Sequence, residues 1–306
     1  MTAVSSHAPT DAWSYGGYPY AVVPLVLPDP GIRYNTGERD SVEEQRELLL
    51  TETAAGQHET PESADALFWF RWIIGNQAVT ALWQMLDDEL ALVLAEELPT
   101  AARNAEALLE AYSALLIYAG SPTRELYHRL IRPAMALQHR SFSGRWAQDY
   151  VPVMAKLQAL RTAFRSRARP ELIESLITAS KRNHRTHVAV AAKLVPDDDS
   201  LLRAHDGGSL AQPNPELVRL YDAFYSTVRA LVPREEVVTQ FLTRLRAILW
   251  DLRTNGLYPQ EASSRHECPM AMWMEGLTAL EEDLESVLRR GGEAAIAALR
   301  LLPAPR

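Results

Sequence analysis

Four short stretches of this chain carry residue types whose spacing can do chemistry. In Phe68-Trp-Phe-Arg-Trp-Ile-Ile-Gly-Asn-Gln-Ala-Val-Thr-Ala-Leu-Trp83, helical steps of three and four put Trp69, Trp72, Asn76, Val79, Trp83 and Leu86 on one stripe. The stripe is aromatic and apolar except for Asn76. An unpaired buried amide costs about 1–3 kcal/mol, so Asn76 is either tied to neighbouring backbone or kept for a ligand. In the second stretch, His184, His187 and Ala191 fall at i, i+3 and i+7 of a helix, and Val-Ala-Val-Ala-Ala follows His187. An imidazole beside small apolar side chains lets a flat ligand reach its ring. The same pair of histidines also suits a structural or surface role, because no carboxylate on that face completes a metal shell. The third stretch, His139-Arg-Ser-Phe-Ser-Gly-Arg-Trp-Ala-Gln-Asp-Tyr150, offers Arg145 for a carboxylate and aromatic side chains for a ring, or is a plain surface loop. The fourth, Asp206-Gly-Gly-Ser209, lets backbone approach a ligand closely, which is a weak signal on its own.

Other chemistries find little support. There is no Gly-x-Ser-x-Gly elbow, phosphate-binding loop or His-Glu-x-x-His. The single cysteine, Cys268, follows His266 but lacks a positioned third group for nucleophilic work. One cysteine also excludes an internal disulfide and a Cys-cluster metal site. A net charge of -8 argues against nucleic-acid binding. The longest apolar-rich run, Ala66 to Trp83, is interrupted by Arg71, Asn76 and Gln77, so no membrane span is expected. The sequence MTAVSSHAPTDAW has neither a basic n-region nor an apolar h-region, and a cytoplasmic protein is expected.

The elements that would position these residues are helices. Asn214-Pro215-Glu216, Ser121-Pro122 and Thr60-Pro61 read as caps with Pro at the first helical position. Helices are expected over 62–97, where a break is possible, and over 101–119, 122–139, 147–166, 170–195, 215–232, 233–254 and 270–301. No sustained period-two alternation occurs, so the fold class is all-α, a single-domain bundle. Residues 1–60, dense in Pro, Gly and Tyr, read as an irregular N-terminal arm packed on a helical domain of residues 61–306.

In this order the motifs resemble the heme-dependent aromatic oxygenases, the superfamily of tryptophan 2,3-dioxygenase, over about residues 15 to 275. Phe70-Arg-Trp-Ile-Ile-Gly-Asn-Gln-Ala-Val-Thr-Ala-Leu-Trp83 is similar to the dioxygenase stretch written ITHQ and its aromatic helix. His187-Val-Ala-Val-Ala-Ala-Lys-Leu-Val-Pro196 looks like the axial-histidine helix, and Asp206-Gly-Gly-Ser209 like the loop over the substrate. Tyr-Pro…Leu-Val-Leu-Pro-Asp and Gly-Glu-Arg39 look like the bacterial heme-dependent tyrosine hydroxylases of natural-product pathways. The resemblance implies heme b held by His187, with Trp69, Trp72 and Trp83 walling the cofactor pocket. It implies Arg145 on the substrate carboxylate and Gly207, Gly208 and Ser209 closing over its ammonium. It further implies hydroxylation of an aromatic amino acid, best L-tyrosine to 3,4-dihydroxyphenylalanine, with hydrogen peroxide or dioxygen, in a protein able to form homo-oligomers. One departure stands out. Asn76 occupies the distal position where the family usually has His, and an amide can donate or accept hydrogen bonds but cannot carry a proton. Either His184, His139 or the substrate would then move it, or the chemistry differs from the family's. A tryptophan or indole oxygenase of the same superfamily is the alternative. A non-catalytic all-α binding protein would instead explain the Trp stripe as core, and a His-metal hydrolase would use the histidine pair.

Overall fold

The computed structural model describes residues 22–32, 40–51, 63–96, 98–165, 170–195, 201, 214–259 and 273–301. Its longest element is α2 (Ala64–Glu96), which runs without a break for 33 residues, about 50 Å at the helical rise. Its start is fixed by Ser63, whose hydroxyl accepts a hydrogen bond from the Ala66 amide at 3.2 Å; the cap expected at Thr60 lies outside the described residues. α3 (Pro99–Ala119) packs along α2. Gly75 permits their approach: a Cβ there would stand 2.9 Å from that of Ala119.

The segment expected as one helix over 122–139 is built in pieces. Thr123 caps α4 (Arg124–Leu126), a π turn spans Tyr127–Ile131, and α5 (Arg132–Gln138) follows. Pro133 explains the wide turn, because it lacks an N–H and its ring would clash with the carbonyl four residues back in a regular helix. A 3₁₀ turn at Gly144–Trp146 leads into α6 (Tyr150–Arg165), and α7 (Pro170–Leu194) carries both candidate histidines. α3 and α6 each pack on both α2 and α7, so α2 and α7 face one another across a four-helix ring.

The helix expected over 215–232 is shorter. Asn214 caps α8 (Pro215–Phe224) through the Glu216 and Leu217 amides as anticipated, but the chain then turns through Ser226 at φ 51° into a strand, β2 (Thr227–Arg229). The cause is tertiary. β2 pairs in parallel with β1 (Leu25–Leu27), Leu25 opposite Thr227, and this partner lies too far away in sequence for a local pattern to announce it. Side chains complete the seat of the arm. The Gln240 amide donates to the Val26 carbonyl and accepts from its N–H, standing in for a third strand. Buried Arg244 donates to the Val23 and Pro24 carbonyls.

Within the span read as irregular the structure adds a helix, α1 (Asp40–Thr51), packed on α9 (Arg234–Asn255). The last expected helix is two, α10 (Trp273–Glu282) and α11 (Leu284–Leu301), and α11 packs on α3. The fold is all-α and one domain, with α2 at its centre against α3, α6, α9 and α11. Among the described residues no helix is long and apolar enough to cross a membrane.

Candidate functional site

The tryptophan stripe on α2 changes character along its length. Trp69, Trp72 and Asn76 are half-buried, whereas Val79, Trp83 and Leu86 are buried. Trp69 meets the edge of Phe224 at 6.0 Å between ring centroids, and Trp72 that of Tyr127 at 5.7 Å. Trp83, three turns on, belongs to another group of rings, with Tyr112 at 5.6 Å and Tyr150 at 4.9 Å. The indole N–H groups of Trp72 and Trp83 are buried without a hydrogen-bond partner. Each lies close to a phenol, that of Tyr225 and that of Tyr112, without hydrogen-bond geometry.

Asn76 resolves the choice left by its sequence in part. Its Nδ2 donates to the Trp72 carbonyl at 2.7 Å, the bond to backbone one turn back, while the Thr80 hydroxyl donates to the Asn76 carbonyl at 2.8 Å. One amide hydrogen and Oδ1 remain for a ligand.

His184 and His187 lie on the exposed side of α7, where Val188 and Ala191 are exposed too. Among the described residues, none hydrogen-bonds a ring nitrogen of His187. Its ring is reached by water yet enough protein surrounds it to disfavour the imidazolium; this desolvation, then the His184 and Arg145 charges, lowers its pKa below the ordinary histidine value. This favours the neutral ring, whose unprotonated nitrogen carries the one lone pair that can ligate a metal. His184 supplies no third donor, and among the described residues no three His, Cys, Asp or Glu side chains cluster as metal ligands.

The loop from His139 to Trp146 joins the two regions. Ser143 accepts from the Arg145 amide and turns that side chain outward, exposed and within electrostatic reach of His187. The same turn directs Trp146 inward onto His139 at 5.1 Å and Phe142 at 5.4 Å. Phe142 then packs on Phe224 at 4.8 Å, the ring that meets Trp69, and on Tyr225 at 6.2 Å. His139 Nδ1 accepts from the Ser141 amide, which places the proton of the neutral ring on Nε2. Gly207, Gly208, Ser209 and Cys268 lie outside the described residues.

Sequence reasoning missed Tyr127, Phe142, Tyr221, Phe224 and Tyr225, although aromatics at 221, 224 and 225 form an i, i+3, i+4 face of α8. Burial pushes the Tyr127 phenol up to about 12 and raises Tyr221 and Tyr225 as well, so these groups stay protonated and can donate hydrogen bonds. An ion-pair lattice holds them in place. Arg229 bridges Asp149 at 2.6 Å and Asp222 at 2.8 Å, and Gln84 donates to Asp149 at 2.9 Å. Behind this lattice, between α2, α6 and α8, opens a cavity of about 1130 Å³. None of the residues expected to act lines it, and Asp87 and Lys156 in its wall are paired with each other at 2.5 Å.

No curated protein matches the chain. Residues 50–176, from the end of α1 into the first turns of α7, match the model of a protein family. This segment holds the tryptophan stripe, Asn76 and Arg145 but stops short of His184 and His187, and the family it is similar to is described as SfmD 3-methyl-L-tyrosine peroxygenase.

Proposed function

We propose that this protein is a heme-dependent peroxygenase that hydroxylates the ring of an aromatic amino acid, L-tyrosine or its 3-methyl derivative, beside the phenol hydroxyl. The observation that carries the reading is the similarity of residues 50–176 to a family described by that activity, in a segment that includes the α2 stripe and the Arg145 loop. Three features of the structure support it and fit heme b. His187 offers an imidazole that favours the neutral form, exposed Val188 and Ala191 offer an apolar bed for a macrocycle, and Arg145 offers an exposed guanidinium that no described carboxylate pairs with. When bound, heme supplies the activation of peroxide and the transfer of one oxygen atom.

The chain's own part is placement and proton handling. Arg145 pairs with the substrate carboxylate, so the ring points away from it towards the aromatic group of α2 and α8. Trp69 and Trp72 exclude water from that side. Asn76 holds its remaining N–H towards a ligand but cannot accept and return a proton. That duty falls to an imidazole: His184 stands one turn from His187, and His139 lies on the loop that carries Arg145.

The test is the pyridine hemochrome spectrum of the purified protein, with and without His187→Ala, followed by product mass with tyrosine, 3-methyltyrosine and peroxide. Heme in the wild type, its loss in the variant and a product heavier by one oxygen are expected. Absence of heme, or a variant that retains it in full, overturns the reading.

A further inference from the structure

We propose that the cavity between α2, α6 and α8 binds a short aliphatic peptide by its two free ends, with Arg219 on the terminal carboxylate and Asp29 on the terminal ammonium. At about 1130 Å³ the cavity exceeds the roughly 300–1,000 Å³ of ordinary small-molecule pockets, so a lone amino acid leaves most of it empty. Its apolar wall is Ala91 and Leu92 of α2, Val151, Pro152 and Ala155 of α6, and Val218 of α8. Among the described residues no aromatic ring lines it. That sets it apart from the rings around Trp69 and Trp72 and suits alkyl side chains.

The charges in the wall select the ends of the ligand. Lys156 pairs with Asp87 at 2.5 Å, Arg229 with Asp222 at 2.8 Å, and Asp88 with buried Arg234. Two lining charges stand outside these pairs. Among the described residues no carboxylate pairs with Arg219 and no cation pairs with Asp29. Arg219 is exposed on α8, whose start the Asn214 cap fixes. Asp29 opens the turn that follows β1. Its carbonyl accepts from the Ile32 amide at 3.1 Å, with Pro30 and Gly31 between them and Gly31 at φ 84°, as a type II turn requires.

The two unmatched charges have opposite signs. A ligand that carries only a carboxylate leaves Asp29 without a counterpart, and one that carries only an amine leaves Arg219 so. A chain with an ammonium at one end, a carboxylate at the other and alkyl groups between matches the charges and the apolar wall together. This inference stands apart from the peroxygenase reading, because none of the residues given a part in that reaction lines the cavity.

Isothermal titration calorimetry of the purified full chain tests it, with peptides that carry Leu at both ends and none to three Ala between them. Chain reach grows by about 3.3–3.6 Å per residue, so one length should bind tightest. For that peptide Arg219→Gln and Asp29→Asn, both at exposed positions, should each weaken binding by about threefold or more. Caps then assign the ends: the N-acetylated peptide should not respond to Asp29→Asn, nor the C-terminal amide to Arg219→Gln. Ala155→Trp brings an indole into the cavity from the exposed side of α6 and should abolish binding. No binding at any length, or wild-type affinity in both charge variants, overturns the proposal. So does dodecanoate that binds as tightly as the best peptide and ignores Asp29→Asn, which would make the site one for fatty acids.

Discussion

Glu89 lies on α2 with none of its surface exposed, and neither carboxyl oxygen has a hydrogen-bond partner. Burial, with the Asp88 charge adding to it, raises its pKa from 4.5 to about 7 against the pull of the nearby Asn104 amide and Arg234. In the unfolded chain Glu89 ionises near 4.5, so between the two values the folded protein binds the extra proton. Folding is therefore favoured below pH 4.5, and this advantage is lost as pH rises towards 7. At about 1.4 kcal/mol for each pH unit, the loss across that window is about 3 kcal/mol. Glu89→Gln keeps the shape and removes the charge. The variant should match the wild type near pH 4.5 and exceed it by about 3 kcal/mol at pH 8. For a chain of 306 residues, with an unfolding entropy of about 2.1 cal/mol/K per residue, that is about 5 °C in Tm. The assay is urea unfolding of both proteins from pH 4.5 to 8, read as the difference between the two stability curves, so that all other titrating groups cancel. Curves that stay parallel across the window would refute the reasoning.

Two further substitutions probe the frame and the site. Asp251→Ala strips the carboxylate from Arg71, which is fully buried and pairs with it at 2.7 Å, and also takes an acceptor from the Tyr118 hydroxyl. A loss of about 3–5 kcal/mol in urea unfolding is expected, and a loss under about 1 kcal/mol contradicts the role given to this pair. Asn76→His places a proton carrier where the chain has an amide, and peroxide-dependent hydroxylation should rise; unchanged rate and product would show that the side chain at this position does not limit proton transfer.

The sequence made the helices legible where cap and period agreed, as at Asn214-Pro215-Glu216 and along α2 and α7. It hid what depends on distant partners. β2 forms because β1 lies beside it, and the π turn at Tyr127–Ile131 accommodates Pro133 by a geometry that a 3.6-residue period does not encode. At the site, the stripe of α2 and the His184–His187 face could be placed from spacing alone. That His139, Phe142 and Trp146 would bring Arg145 near His187 could not, since a loop's direction is set by what it packs on. Asn76 shows the boundary well. Its bond to Trp72 is a local, one-turn contact that spacing allows, but spacing also allowed the alternative.

The seating of the arm also has a consequence in time. Leu25 pairs with Thr227, and Gln240 and Arg244 complete the seat, so the first strand is made roughly two hundred residues before its partner strand. At a synthesis rate of about 5–20 residues per second, the apolar arm waits about 10–40 s on a growing chain. Closing so long a loop comes late, after α2 and α3 have already found each other. A nascent chain that stalls before residue 227 leaves β1 without its paired strand, and its fate then depends on the chaperones at hand rather than on its own fold.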